Sequence, residues 1–339
     1  MIFKDITDSN FNGIKISSYH EFDHEKVYYY EDSNVGLKSL VAIHDSSKGP
    51  AIGGCRYKKY DSFEDGLNDV LRLSRGMTHK NNVAQIPFGG GKAIIFKEGN
   101  KSNKLLQSFA DFLNLLEGKY ISAEDIGISL EDIRFIKNHT DHVFDNIDPG
   151  SYTAKGIFYA IEESIDFYYS ESLLNKTISI QGAGSVGKKL ADHLSNAGAK
   201  VFISDIDKEK LDHINDPNII CVDDAFAMQC DVFSPCAVGA IFSKSSIKNL
   251  NCKIIAGGAN NQLQNLSVAN DLYENGIIYI PDILINSGGA IGLTKDIMHR
   301  NEDETELDIR NIAARVRKAL IKSQKHSISL QDVLKELLV

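Results

Sequence analysis

The sequence has no tryptophan and only 6 prolines, 4 methionines and 5 cysteines in 339 residues. The cysteines (Cys55, Cys221, Cys230, Cys236, Cys252) are odd in number and form no CxxC pair. They support neither a disulfide framework nor a metal site, so free thiols in a reducing compartment are expected. No apolar run approaches the roughly 18 residues that span a bilayer, and Met1-Ile2-Phe3-Lys4-Asp5 lacks the apolar core of a signal peptide. A cytoplasmic protein with no membrane partner is the expectation. Positive charge is scarce: Lys and Arg number 37 against 46 Asp and Glu, a net charge of -9. That balance argues against a nucleic-acid partner, which would show a basic patch. Short basic pairs such as Lys58-Lys59 and Lys188-Lys189 read as solvated faces. No repeat or low-complexity tract is visible. With 42% hydrophobic and 24% charged residues, the length suits two globular domains with real cores.

The most informative stretch runs from Gly76 to Lys92, GMTHKNNVAQIPFGGGK. Asp61-Ser62 supplies a helix N-cap with Asp65 three residues beyond Ser62. Phe63, Leu67, Val70, Leu71 and Met77 recur at helical spacing, which places Lys80 one turn past Met77 near the helix end. Ile86-Pro87-Phe88 cannot continue that helix. Gly89 to Gly91 permit positive φ and close approach of another molecule before Lys92 enters the strand-like Ala93-Ile94-Ile95-Phe96. A phosphate loop is rejected, because that pattern needs glycine where Ile86 stands and Ser or Thr where Ala93 stands.

Elsewhere, Leu37 to His44 reads as a strand, 105–116 as a helix, and Asp125 as a residue at a strand end. The turn-rich segment 146–150 is the expected domain boundary, with a helix from Thr153 to about Phe167. Next, Lys176 to Gln181 reads as a strand, Gly182-Ala183-Gly184-Ser185-Val186-Gly187 as a GxGxxG turn, Lys188 to Asn196 as a helix, and 198–204 as a second strand ending at Asp205. Strand, glycine turn, helix and an acid about 20 residues on together indicate dinucleotide binding. The glycines would let a pyrophosphate reach backbone N–H groups at a helix N-terminus, and Asp205 would accept from the ribose hydroxyls, which favours NAD over NADP. Lys208 is near enough in sequence to soften that preference. Apolar runs at Cys230 to Phe233, Ile254 to Ala256 and Ile277 to Ile280 resemble buried parallel strands, whose carboxyl-end loops should line the cofactor site. After Asn286-Ser287-Gly288-Gly289 the chain reads as helical to its end, with Ile309, Ile312, Val316 and Leu320 on one face.

Gly53-Gly54-Cys55-Arg56, Gly76 to Lys80, Gly89-Gly90-Gly91-Lys92 and Ile121-Ser122-Ala123-Glu124-Asp125-Ile126-Gly127 resemble, in order and spacing, motifs of the glutamate, leucine, valine, phenylalanine and tryptophan dehydrogenase family. The likeness runs from about residue 25 to 295 and is nearest to the branch acting on apolar amino acids. It implies an α/β protein of two domains: a substrate-binding and catalytic domain at 1–147 and a Rossmann NAD-binding domain at 148–295. A helical tail at 296–339 would return toward the first. It also implies NAD-dependent oxidative deamination of an apolar L-amino acid to the 2-oxo acid and ammonia, with the reverse amination, by a homo-oligomer that is a dimer or larger.

By the same resemblance, Lys80 would bind the substrate carboxylate and Lys92, buried near a second cation, would be the base that activates water. Asp125 would exchange protons with the substrate nitrogen. Ile52, Gly53, Gly54, Met77, Ala123, Asn261, Ala290 and Leu293 would contact substrate, and Thr153, Ala237, Ala259 and Asn260 would lie near the nicotinamide half. Glutamate enzymes of the family carry a lysine just before the Gly-Gly pair, where this chain has Ile52. His79 reads as a packing residue. Two other readings stay open: a Rossmann dehydrogenase of another small metabolite such as a hydroxy acid, and a non-enzymatic nicotinamide-binding sensor that keeps the fold.

Overall fold

The computed structural model describes residues 1–19, 23–145, 148–237 and 239–338. The chain divides into two compact units, Met1–Ile147 and Asp148–Val339. The boundary turn expected at 146–150 includes positions 146 and 147, which lie outside the described residues.

The first unit contains β1 (Ile2–Asp5), β2 (Asn10–Phe11), β3 (Ile14–Lys15), β4 (Lys26–Asp32), β5 (Leu37–Asp45), β6 (Ala51–Lys58), α1 (Phe63–Ala84), β7 (Gly89–Phe96), α2 (Asn103–Leu115), β8 (Tyr120–Ala123) and α3 (Leu130–Lys137). Six strands form one mixed sheet in the order β1-β4-β5-β7-β6-β8. β5 runs antiparallel to β7, and β6 runs parallel to both β7 and β8. Side chains alternate between the two faces of each strand. Val41, Ile43, Cys55, Ala93 and Ile95 pack with Phe109 and Phe112 of α2 and Ile133 of α3. Leu40, Ala42 and Ile94 pack on the other face with Leu67, Val70 and Leu71 of α1.

Helix α1 starts where the sequence indicates: the Ser62 hydroxyl accepts from the Asp65 N–H at 3.1 Å. It runs one turn beyond Lys80 and closes at Gln85 in the left-handed conformation, φ 59°. The expectation for Gly89 to Gly91 is corrected. They are strand residues, the first three of β7, and none has a positive φ. Their missing side chains admit the protein's own atoms: Asp45 backbone against Gly89, Thr78 of α1 against Gly90, and the Tyr120 ring against Gly91. Lys92 is therefore the fourth residue of β7, opposite Ala42 of β5.

The second unit contains α4 (Pro149–Tyr169), β9 (Thr177–Gln181), α5 (Ser185–Asn196), β10 (Lys200–Ser204), β11 (Ile219–Cys221), β12 (Val232–Pro235), β13 (Ile254–Ile255), α6 (Val268–Glu274), β14 (Ile278–Tyr279), α7 (Asp282–Ile285), α8 (Gly288–Thr294), α9 (Glu302–His326) and α10 (Leu330–Leu338). Its six strands are all parallel, in the order β11-β10-β9-β12-β13-β14. Counted from β9 as the first strand, that is the doubly wound order 3-2-1-4-5-6, and the direction of winding reverses between β9 and β12. Helix α4 opens at Pro149, earlier than expected, because Asp148 caps it by accepting the Gly150 N–H at 3.0 Å. The tail, expected to be helical to its end, breaks between α8 and α9 and again at Ser327, φ 55°, between α9 and α10, and α9 packs on α4 within this unit. Ile309, Ile312, Val316 and Leu320 are buried together on one face, as their spacing predicts. No helix of the described residues is long and apolar enough to cross a membrane.

Candidate active site

In the first unit, three strands converge on one half-buried carboxylate. Asp125 follows β8 by two residues, Lys92 stands in β7 and Arg56 in β6. The Lys92 ammonium pairs with Asp125 Oδ2, and Arg56 Nε donates to the same oxygen at 3.0 Å. The Ile126 N–H donates to Oδ1 at 2.8 Å. Side-chain exposure is 8% for Lys92 and 18% for Asp125 and Arg56, so one buried and two largely buried charges are held together by pairing. Burial pushes the Asp125 carboxyl up, but the Lys92 and Arg56 charges and the Ile126 N–H outweigh it and hold the group at about 2.

Gly54 makes that meeting possible. A Cβ there would lie 2.5 Å from the Glu124 carbonyl oxygen, 2.8 Å from Asp125 Cβ and 3.2 Å from Lys92 Nζ. Gly53 is fixed by the Tyr120 hydroxyl, which donates to its carbonyl at 2.7 Å, and a Cβ on Gly53 would stand 3.4 Å from Met77 Cγ. Ile52 and Ala123 are buried on the neighbouring strands β6 and β8, while Met77 and Lys80 are half-buried on α1. His79 packs its ring 6.2 Å from that of His44, and burial lowers its proton affinity.

Arg56 belongs to a recognised motif, yet no role for it was visible in the sequence. It links Asp125 to Asp69 of α1 at 3.1 Å, and Asp69 accepts from Tyr60 at 2.9 Å and Arg72 at 3.1 Å. The only sequence cue was the placement of Asp69 on the amphipathic helix that covers the same sheet face.

In the second unit, the glycine turn sits at the switch point. Gly182 has φ 105°, and a Cβ on it would lie 2.9 Å from the Ala237 nitrogen beyond β12. Gly187 meets the Gly182 carbonyl so closely that only glycine fits. Gly184 is the N-cap of α5, no side chain caps that helix end, and a Cβ on Gly184 would meet nothing within 4 Å. Ser185 is exposed beside it, and Val186 packs against Gly258. The positive end of this 12-residue helix therefore has no N-cap side chain on its first-turn donors and has room beside Gly184. This is the cradle that a pyrophosphate needs, and the residues present fit a dinucleotide.

Asp205 follows β10 and does more than wait for a ligand. Its carboxylate accepts from the Ala183 N–H at 2.8 Å and the Asp207 N–H at 2.9 Å. Burial opposes its charge, but these donors and Lys210 hold it below the usual range. The nearby cation is Lys210, at 3.4 Å, and not Lys208, which pairs with Asp223. Nor is the pair Lys188-Lys189 simply solvated, since Lys189 binds Asp148.

Around the switch point, Ala259 is buried and its N–H reaches the Pro235 carbonyl at 2.9 Å. Asn260 accepts from the Asn286 amide at 2.9 Å, and the Asn261 N–H donates to Asp282 at 2.9 Å. The Thr153 hydroxyl donates to the Pro149 carbonyl and touches the position a Cβ on Gly289 would take, which brings α8, with buried Ala290 and half-buried Leu293, against the start of α4. All five cysteines are free, and no cluster of described residues could hold a metal ion.

Residues 24–142 match the Glu/Leu/Phe/Val dehydrogenase dimerisation domain, and residues 203–329 match the glutamate/leucine/phenylalanine/valine dehydrogenase domain. The chain is 35% identical to leucine dehydrogenase of Bacillus subtilis (strain 168) over 321 residues, which cover 91% of this chain and 88% of that protein. It is 37% identical to phenylalanine dehydrogenase of Lysinibacillus sphaericus over 310 residues, 86% of this chain and 81% of that one. The crystal structure of L-tryptophan dehydrogenase from Nostoc punctiforme superposes with a TM-score of 0.81 at 33% identity, covering 93% of this chain and 94% of that chain.

Proposed function

We propose that this chain, which belongs to the Glu/Leu/Phe/Val dehydrogenase family, is an NAD-dependent dehydrogenase of an apolar L-amino acid. It releases the 2-oxo acid and ammonia and runs the reverse amination. The observation that carries this reading is the Lys92–Asp125 pair: two groups that can exchange a proton, fixed side by side below a helix that bears Lys80.

Lys80 binds the substrate carboxylate as a fixed charge. Asp125 takes a proton from the substrate nitrogen, and Lys92 removes a proton from the water that adds to the imine. A bound nicotinamide dinucleotide would supply the acceptor for the α-hydrogen and its bonding electrons. Gly182, Gly184, Ser185, Val186 and Gly187 would hold its pyrophosphate, Asp205 its adenosine ribose, and Thr153, Ala237, Ala259 and Asn260 its nicotinamide half. We carry residues 1–147 as the substrate-binding and catalytic domain and 148–295 as the dinucleotide domain, with Asn261, Ala290 and Leu293 also assigned to the substrate.

Asp205 supports NAD over NADP, because a 2′-phosphate would face a carboxylate already committed to the glycine turn. Lys210 beside it moderates that preference. The dimerisation-domain match over residues 24–142 supports a homo-oligomer, dimer or larger. Absorbance at the reduced-nicotinamide band, followed with a panel of L-amino acids and with NAD and NADP in parallel, tests the reading. NADH formed from apolar amino acids is the expected result. No turnover of any amino acid, or equal kcat/KM with both cofactors, would contradict the corresponding part.

A further inference from the structure

We propose that Arg56 is a positioning residue for this reaction: a cation that keeps its proton, it holds the Asp125 carboxylate in place and sets the proton affinity of the Asp125–Lys92 pair. The inference rests on the roles given above to Asp125 and Lys92. Both cations meet the same oxygen, Asp125 Oδ2. They differ in one property that matters, since lysine titrates when its surroundings demand it and the guanidinium does not. Because Arg56 holds the same oxygen as Lys92, the carboxylate keeps a fixed counter-charge of its own and is not free to swing.

Arg56 is itself pinned. Its Nη1 donates to both Asp69 oxygens, at 3.1 and 3.4 Å, and Asp69 is fixed in turn by Tyr60 and Arg72. An arginine whose task was only to tie β6 to α1 would need the Asp69 arm alone, whereas Nε is directed at Asp125. The flat guanidinium spans two carboxylates in a way that an ammonium cannot.

The other ionisable groups around the pair do not replace it. Cys55 and Tyr120 are buried, and burial pushes both well above their ordinary values, so they remain neutral. Glu124 is raised by burial and by Asp125 itself. Lys101, which also acts on Cys55, is bound to Asp132 and the Gly127 carbonyl. From α1 come Asp69, Arg72 and Lys80, of which Asp69 is the group on Arg56.

The test uses the full chain as wild type, Arg56→Gln and Asp69→Asn, with pH profiles of kcat/KM, NADH fluorescence titration and acid-unfolding curves. Arg56→Gln should move the ionisations of kcat/KM to higher pH by about one unit or more. It should lower kcat about 10²-fold through misplacement of Asp125, leave NADH binding unchanged, and begin acid unfolding at higher pH. Asp69→Asn strips Arg56 of its counter-charge and should move the profile the opposite way, to lower pH. A merely structural role would lower activity in both variants without moving either profile. Unmoved profiles, or shifts in the same direction, overturn the inference. If Arg56→Gln does not fold, Asp69→Asn decides alone, and a profile at or above that of wild type overturns it. A wild type inert toward every amino acid would instead overturn the proposed function and this inference with it.

Discussion

Gly90 of β7 lies so close under Thr78 of α1 that a methyl group on Gly90 would overlap the Thr78 backbone nitrogen and hydroxyl. Two residues further along each element stand Lys92 and Lys80. The closeness of a strand to a helix thus fixes where the two lysines emerge.

Gly90→Ala should therefore destabilise the protein by about 1–3 kcal/mol or more and lower turnover beyond what stability explains, because α1 must lift from β7. Gly76→Ala in the same motif is the control. A Cβ there meets nothing within 4 Å, so it should be neutral or stabilise by about 0.5–1 kcal/mol. Urea unfolding and steady-state rates of both variants check the pair, and equal effects would contradict the packing account.

Lys92→Ala should reduce turnover about 10²–10⁴-fold, the usual cost of losing a general base. NADH binding should be nearly intact, since the glycine turn and Asp205 belong to the other unit. Asp125 keeps Arg56 as partner in this variant, so the protein should fold. Rates measured beside a fluorescence titration decide it, and a variant within threefold of wild type would remove Lys92 from the chemistry.

His24 gives a stability prediction separate from catalysis. It is buried, its Nε2 donates to the Leu71 carbonyl at 3.0 Å, and burial with His44 nearby lowers it to about 4 from an ordinary 6.5. The depressed value means that folding favours neutral His24. Its contribution is fully present above about 6.5 and is lost as pH falls toward about 4. Between pH 7.5 and 4.5 the wild type should lose about 2–3 kcal/mol more unfolding free energy than His24→Gln. Parallel losses in denaturant titrations at the two pH values would contradict this.

Much of this molecule was legible before its coordinates. The Ser62 cap, the α1 periodicity, the glycine turn with Asp205, and the buried parallel strands follow from local rules that tertiary packing did not override. Elsewhere tertiary packing decides what local rules do not report. Gly89 to Gly91 look like a loop by propensity, yet they are strand because α1, Asp45 and Tyr120 need the space. Gly288–Thr294 opens with two helix breakers and is still helical, since Gly288 and Gly292 admit Tyr152 of α4. Lys26–Asp32 shows no alternation because Val27, Tyr28, Tyr29 and Tyr30 are all buried, with helices on both faces of the sheet. The Arg56–Asp69 and Asp125–Lys92 pairings join separate elements, and no local rule reports such partners.

The most direct test is kcat/KM with NAD for glutamate, leucine, valine, phenylalanine and tryptophan. Ile52, which is 2% exposed, stands where glutamate enzymes of the family carry a lysine, and Met77 and Ala123 of the same unit add no charge. Burying a distal carboxylate there without a partner should cost several kcal/mol, while each buried CH₂ should contribute about 0.8 kcal/mol. The expected result is an apolar or aromatic amino acid preferred over glutamate by at least about 10²-fold, since 1.4 kcal/mol is tenfold. A clear preference for glutamate would contradict the assignment of Ile52 and the apolar pocket built on it.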